Sequence, residues 1–491
     1  MPLLTGDLPA SLLADPAAHR VHVMGIGGTA MAALAGMLVD AGFQVTGSDT
    51  GVYPPMSDYL ASLGIDVMIG YNAKNLAAPR GGRAPDLVVV GNVIRADYEE
   101  AVALLASELL YCSFPQLLGA LVLAKKRSIV VSGTHGKTTT TALIAWLLEA
   151  AGKNPGFLVG GRMPNFERTA RSGTGDAFAI EGDEYDTAFF DKGPKFLHYR
   201  PRTALITSVE FDHADIYRDL DHVKESFRKL VSIVPPTDEG GGGGCIVARW
   251  DHDDVRDVCQ EATCEVRKYG VGQQWDGRID SVDTERGVQL FTVLRDGNPW
   301  GRFESVLVGE HNLYNQVAAV AALEREGLTP EQLQKGFSTF LGVKRRQEVI
   351  GEPRRITVLD DFAHHPTAVK VTLEALRLRF GKRRMWAIFE PRSATSRRAV
   401  FQEAYADAFG AADVVVIAHP HDQSRIAEDE RFDSVRLVEK LRARGIEAFT
   451  YETVEEIVAV VGANALPWDV VAVLSNGGFG GMHGKLLKAL A

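Results

Sequence analysis

Near the start of the chain a short apolar run, Val21-His22-Val23-Met24, breaks at Gly25-Ile26-Gly27-Gly28-Thr29 and continues into an Ala/Met/Leu-rich stretch. A second run, Phe43-Gln44-Val45-Thr46-Gly47, ends in Ser48-Asp49. Short apolar runs bounded by glycine predict buried strands, and the longer stretch of helix formers between them predicts a helix. Together they make a β-α-β unit with a glycine turn at its first crossover. The pattern returns more weakly at Asp86-Leu87-Val88-Val89-Val90-Gly91-Asn92, which predicts a small Rossmann-like domain over residues 1–124.

A second unit starts at Ser128-Ile129-Val130-Val131-Ser132 and runs straight into Gly133-Thr134-His135-Gly136-Lys137-Thr138-Thr139. A long helix is expected from there through Leu148, with further strands at Phe178–Ile180 and Ala204–Thr207. The glycines Gly240 to Gly244 predict a flexible loop, too short to link domains. A third unit spans Ile356–Leu359, Met385–Phe389 and Val470–Ser475. Strands alternating with helices throughout predict three α/β domains with mainly parallel sheets, over 1–124, 125–346 and 347–491.

Composition narrows the partners. A net charge of -10 disfavours nucleic acid, which needs a broad basic surface, but leaves room for local anion pockets. The four cysteines, Cys112, Cys245, Cys259 and Cys264, form no C-x-x-C pair and no metal spacing, which fits reduced thiols in a cytoplasmic protein. No run approaches the ~20 apolar residues a membrane span requires, so no membrane partner is expected. The opening residues carry Asp7 and Asp15 and no basic start, unlike a secretory signal. A cytoplasmic monomer is expected.

The strongest chemistry lies at Gly133 to Thr139. A strand that ends in glycines and enters a helix at Lys-Thr offers backbone N–H groups and the positive end of the helix dipole to a phosphate. Lys137 would reach the outer phosphates, and the Thr138 hydroxyl would hold Mg²⁺. The loop is shorter than G-x-x-x-x-G-K-[ST], with Val131 where that spacing needs glycine. Mg²⁺ asks for further oxygen ligands. Glu181-Gly182-Asp183-Glu184-Tyr185-Asp186 supplies four carboxylates after an apolar strand, and Glu210-Phe211-Asp212-His213-Ala214-Asp215 follows the next. Both fall at the carboxyl ends of strands, where such sheets bind ligands.

The first glycine turn suits a pyrophosphate, with Ser48 and Asp49 placed for a ribose. Taken alone it would fit a nicotinamide dinucleotide equally well. Two such loops imply two phosphorylated ligands, or one binding loop and one packing turn. In the third unit, Asp360-Asp361-Phe362-Ala363-His364-His365-Pro366 follows a strand, as do Glu390-Pro391-Arg392-Ser393 and the run Ser475-Asn476-Gly477-Gly478-Phe479-Gly480-Gly481. The last two could hold an anionic or zwitterionic ligand, with Arg392 pairing to a carboxylate.

In this order the motifs GTHGKTT, EGDEYD, EFDHAD, GEHNLYN, KRRQE and DDFAHHP resemble those of the Mur ligase family of peptidoglycan synthesis, and they span most of the chain. Gly182 departs from the alanine common in relatives. The resemblance implies a UDP-binding first domain, a central P-loop ATPase domain and a Rossmann-like third domain. It implies an ATP- and Mg²⁺-dependent ligase that activates the lactyl carboxylate of UDP-N-acetylmuramate as an acyl phosphate. By motif, Lys137 stabilises the transferring phosphoryl group, Thr138 and Glu181 serve Mg²⁺, and His213 helps hold a second metal. Gly133, Thr134, His135, Gly136, Thr139, Asn312, Asn315, Arg346 and Asp361 face ATP. Gly25, Gly27, Gly28, Thr29, Ser48 and Asp49 face UDP, and Arg392, Ser393, Ser475 and Asn476 face the incoming amine. The stretches GSDTGVYPPMSDYL, AFFDKGPKFLHYRPRT, EPRS and SNGGFGGMH resemble the branch that attaches L-Ala-γ-D-Glu-meso-diaminopimelate in cell-wall recycling. The alternative branch adds L-alanine, and a nucleotide-binding module without covalent chemistry would leave the carboxylate and histidine clusters unexplained.

Overall fold

The computed structural model of the protein describes residues 3–4, 6–77, 83–238 and 243–491; Gly240 to Gly242 of the expected glycine loop lie outside the described residues. Three large sheets organise the described residues, beside a two-stranded antiparallel pair, Asp186–Ala188 with Asp191–Pro194. The first has five parallel strands in the order Val67–Ile69, Gln44–Asp49, Arg20–Met24, Leu87–Val90, Leu110–Ser113. The runs at Arg20–Met24 and Leu87–Val90 are buried almost throughout, as a parallel sheet covered on both faces requires.

The central sheet has ten strands, in the order Asn298–Ser305, Val288–Arg295, Trp275–Asp283, Glu265–Tyr269, Cys245–Arg249, Pro201–Ile206, Arg127–Ser132, Ala177–Gly182, Gly156–Leu158, Ala170–Arg171. Its middle is parallel, but Trp275–Asp283, Val288–Arg295 and Asn298–Ser305 form an antiparallel meander. Six of its nine strand pairings are parallel, as the sequence reading expected, and the antiparallel ones lie at its edges, in this meander and between Gly156–Leu158 and Ala170–Arg171. Trp275–Asp283 and Asn298–Ser305 are only partly buried, so neither shows the continuous apolar run by which parallel strands were recognised. The third sheet runs Glu348–Gly351, Thr357–Asp361, Val470–Leu474, Met385–Phe389, Val414–Ala418, Glu447–Tyr451, parallel except for its first strand.

The first and central sheets share one hydrophobic core that extends from Leu4 to Cys259. Their junction is the helix Phe114–Leu121, started by a capping box in which Ser113 N–H donates to Gln116 Oε1 at 2.8 Å. Gly119 on this helix lies against the main-chain oxygen of His198, where a Cβ would stand 2.1 Å from that oxygen. The third sheet instead packs against its own helices, with two cores drawn wholly from residues 356–490. It joins the central domain through Val343–Gln347, where Arg345 and Gln347 both take positive φ. No described helix is long and apolar enough to cross a membrane.

Candidate active site at the strand ends

The strand Arg127–Ser132 ends at a loop that glycine alone fits. Gly133 has φ +136° and Gly136 φ +82°, and a Cβ on Gly133 would sit 2.1 Å from Thr207 Oγ1. The loop is held from behind. Thr134 N–H donates to Ser208 O at 3.1 Å, His135 N–H to Ser208 Oγ at 3.0 Å, and Thr207 Oγ1 to His135 O at 2.5 Å. The helix Lys137–Ala150 then begins, so its first N–H groups point into the loop. Thr139 is buried in its first turn.

The acidic box divides its labour. Thr138 Oγ1 donates to Glu181 Oε2 at 2.9 Å, and Gly160 N–H to Glu181 Oε1 at 2.5 Å. Burial and the nearby Asp183 push the Glu181 carboxyl above its ordinary value, so the site favours an added cation there. Lys137 Nζ is bound by both oxygens of Glu184, at 2.9 and 3.0 Å, and by Gly133 O at 2.5 Å. Burial works against both charges. Yet Lys137 and His213 hold Glu184 down to about 2, and Glu184 and Asp183 hold the Lys137 ammonium above its usual value. Asp183 and Asp186 face Lys195 and Lys192 instead.

His213, at φ +55°, stands between Glu184 Oε1 (3.2 Å) and the Tyr185 hydroxyl (2.9 Å), so both ring nitrogens are engaged. Asn315 lies against the phosphate loop, because a Cβ on Gly136 would meet its Oδ1 at 2.5 Å. Asn312, on the helix Glu310–Arg325, accepts from Asn315 Nδ2 at 3.3 Å and donates at 2.9 Å to Val308 O, just ahead of the helix.

Arg346 approaches from the hinge. Its guanidinium donates to Thr138 Oγ1 at 3.4 Å and lies over the Phe362 ring at 4.7 Å. Burial lowers its pKa, partly offset by Asp361 and Glu181. Asp361 accepts from Gln347 N–H at 2.7 Å and Ala363 N–H at 2.8 Å, which fixes the hinge against the third sheet. Arg345, passed over in the sequence, donates to Ser475 O and Gly477 O at 2.6 and 2.8 Å.

The amine-side candidates are partly gathered. Arg392 pairs with buried Glu390 at 3.3 Å and crosses Gly477, while Ser475 Oγ donates to Glu390 Oε2 at 2.5 Å. Among the described residues Asn476 Oδ1 is buried with no hydrogen-bond partner, an acceptor left open. Ser393 closes a local turn with Ser396 at 2.9 Å. In the first domain, Gly25 takes φ +79° and its N–H and that of Ile26 donate to Ser48 O. Gly27 N–H donates to Asp49 Oδ2 at 2.9 Å, while Gly28 caps the helix that Thr29 begins. Ser48 corrects its expectation: strand alternation turns its side chain inward, fully buried, and its hydroxyl donates to Glu100 at 3.1 Å. Asp49 pins the turn through Gly27 rather than standing free beside it.

Three matches follow the same order along the chain. Residues 20–126 match the Mur ligase family catalytic domain, residues 131–323 the Mur ligase middle domain, and residues 345–477 the Mur ligase glutamate ligase domain. The chain is similar to the UDP-N-acetylmuramate–L-alanyl-gamma-D-glutamyl-meso-2,6-diaminoheptandioate ligase of Escherichia coli K12, at 40% identity over 96% of this chain and 98% of that one. It is 32% identical to a UDP-N-acetylmuramate–L-alanine ligase of Desulfitobacterium hafniense, over 93% of this chain and 97% of the other. Among solved structures, a murein peptide ligase of Psychrobacter arcticus matches with a TM-score of 0.67 and 34% identity, covering 96% and 98% of the two chains. With the phosphate loop, its acidic partners and the hinge arginine set between three such domains, the chain belongs to the Mur ligase family and is an ATP-dependent, amide-bond-forming ligase.

Proposed function

We propose that the protein joins UDP-N-acetylmuramate to L-Ala-γ-D-Glu-meso-diaminopimelate. The observation that carries this reading is the 40% and 37% identity over 96% of the chain with two tripeptide ligases, against 32% over 93% and 36% over 81% with two L-alanine ligases. In the reaction the γ-phosphoryl group of ATP passes to the lactyl carboxylate, and ADP leaves. The α-amine of the tripeptide attacks the acyl carbon, phosphate departs, and the amine proton is released.

Lys137 stabilises charge on the transferring phosphoryl group, and Arg346 faces the same loop through Thr138. The Thr138 hydroxyl and the Glu181 carboxylate fit Mg²⁺, since both are hard oxygen donors 2.9 Å apart and the nearby Arg346 leaves the Glu181 carboxyl still raised. Bound there, the ion would neutralise phosphate charge. His213 is assigned beside a second ion through Glu184, Asn312, Asn315 and Asp361 to the nucleotide, and the Gly25–Thr29 turn to the UDP pyrophosphate. Arg392, Ser475 and the open Asn476 acceptor are assigned to the carboxylates and ammonium of the peptide. The domains are assigned as 1–124 for the muramyl substrate, 125–346 for ATP and 347–491 for the peptide. A cytoplasmic monomer acting in cell-wall recycling completes the reading.

Phosphate release with UDP-N-acetylmuramate and ATP, supplying the tripeptide or L-alanine in parallel, tests it. Turnover should be efficient with the tripeptide and small or absent with L-alanine. Comparable kcat/KM for the two amines would overturn the tripeptide assignment.

A further inference from the structure

The phosphate loop and the third domain meet at one side chain that the roles above leave unused. Glu210 follows the strand Pro201–Ile206, three residues before His213. Its main chain is clipped to the phosphate loop: its N–H donates to Thr134 Oγ1 at 2.8 Å, and that hydroxyl donates on to Glu210 O at 3.2 Å. Its side chain points across the seam. Oε2 accepts from Thr367 Oγ1 at 2.6 Å and lies 3.5 Å from His135 Nε2 and 3.8 Å from His365 Nδ1. His135 belongs to the phosphate loop, while His365 and Thr367 open the third-domain helix Pro366–Phe380. The two imidazole centroids are 4.8 Å apart.

These three donor atoms lie within 4.8 Å of one another, close enough to hold a cation. His365, however, is already committed. Nε2 faces the Phe211 carbonyl at 3.2 Å and must donate to it, so Nδ1 is the lone pair that accepts Thr367 N–H at 3.3 Å and caps the helix. The cluster is a hydrogen-bonded joint. Its carboxylate is shared by a loop on one side and a helix start on the other.

We propose that Glu210 is a positioning residue that couples occupation of the phosphate loop to seating of the third domain against it. A shift of Thr134 or His135 on binding nucleotide moves the Glu210 main chain and carboxylate with it. Thr367 and His365 then follow, and with them the first turn of the helix that starts beside Asp361. The neighbouring seam contact, Thr395 Oγ1 to Asp212 Oδ1 at 2.7 Å, does not touch the loop and serves as the internal contrast. The amine would then be admitted to a completed site only after the nucleotide has set the seam.

This role presupposes the ligase activity above, so every variant is assayed with the amine that the wild type turns over. Glu210→Ala and Thr367→Val should each lower kcat about tenfold, the scale of one hydrogen bond to a charged group. The nucleotide Kd, measured by calorimetry without the amine, should weaken as well, by up to about the same tenfold, because a coupling between two events acts on both. Thr367→Ser should restore activity, and the double variant should be no slower than the slower single one. A wild type without ligase activity would defeat the functional reading alone. An active wild type whose two single losses multiply in the double variant would overturn the coupling. A second measurement needs no turnover: a non-hydrolysable ATP analogue should slow amide exchange at residues 367–369 in the wild type and not in Glu210→Ala. Equal protection in the two proteins would likewise overturn it.

Discussion

Lys137 enters the site already paired, and that pairing makes Glu184→Gln the most informative single change. In the structure Glu184 grips the ammonium with both oxygens, and the two side chains are only 13% and 3% exposed. Removing one partner of a buried ion pair costs about 3–5 kcal/mol, because the other charge is left uncompensated. Gly133 O stays as a partner at 2.5 Å, so the lower end, about 3 kcal/mol, is expected in the ligand-free protein. The triphosphate brings the missing negative charge. If binding recovers only half of that loss, about 1.5 kcal/mol, nucleotide affinity rises roughly tenfold. The glutamine variant should therefore melt earlier than the wild type when empty, bind ATP more tightly in EDTA, and show a larger thermal shift on adding it. Calorimetry with ATP and no divalent ion separates this effect from any metal at the box. Weaker or unchanged ATP binding by Glu184→Gln would refute the reasoning, since it would mean that Glu184 does not compete with phosphate for Lys137.

Other perturbations reach the remaining parts of the site. Glu181→Ala should raise the Mg²⁺ concentration for half-maximal turnover at least roughly tenfold, a shift typical even of lost outer partners of metal ligands, and overlapping Mg²⁺ titrations would count against it. Arg392→Ala should raise the KM for the tripeptide about tenfold while that for ATP changes little, as steady-state kinetics with each substrate varied will show. Gly119→Ala forces a methyl group against His198 O and should lower stability by about 1–3 kcal/mol in a denaturant titration, with the muramyl and nucleotide sites untouched in sequence. Burial would lift the Glu210 carboxyl, but His135 and Thr367 hold it down to about 2, below its ordinary 4.5. A lowered carboxylate contributes stability above its unfolded value and loses it as pH falls from about 4.5 toward about 2; Glu210→Gln should flatten that part of the acid-melting profile.

The parallel core of each domain was legible because buried strands read as unbroken apolar runs: Ser128–Ser132, Met385–Phe389 and Val470–Leu474 all fall within observed strands. The meander from Trp275 to Ser305 was not, because its half-exposed strands mix polar and apolar residues on both sides of short turns. At the site, residues adjacent in sequence parted in space. Glu181 and Glu184 stand three apart, yet one meets Thr138 and the other Lys137, a division that no spacing rule announces. Ser48 misled for the same reason, since its place at a strand end said nothing about which face its hydroxyl takes. Arg345 lay inside the quoted KRRQE stretch, but its partners are main-chain oxygens 130 and 132 residues away, which only the fold brings near. Glu210 was visible as one acid of a cluster; that it reaches Thr367 across a domain boundary was not.

The way the interior is partitioned has a consequence for how such a ligase can diversify. The central domain and the third domain have separate apolar interiors, joined by the connection Val343–Gln347 and by polar seam contacts such as Glu210–Thr367 and Asp212–Thr395. A change of apolar packing behind Arg392 or Asn476 is thus taken up first within residues 356–490, and reaches the Lys137 loop only through the hinge and those polar contacts. Lineages that inherit this plan can try new amines in one lobe while the energy-coupling chemistry in the other is preserved.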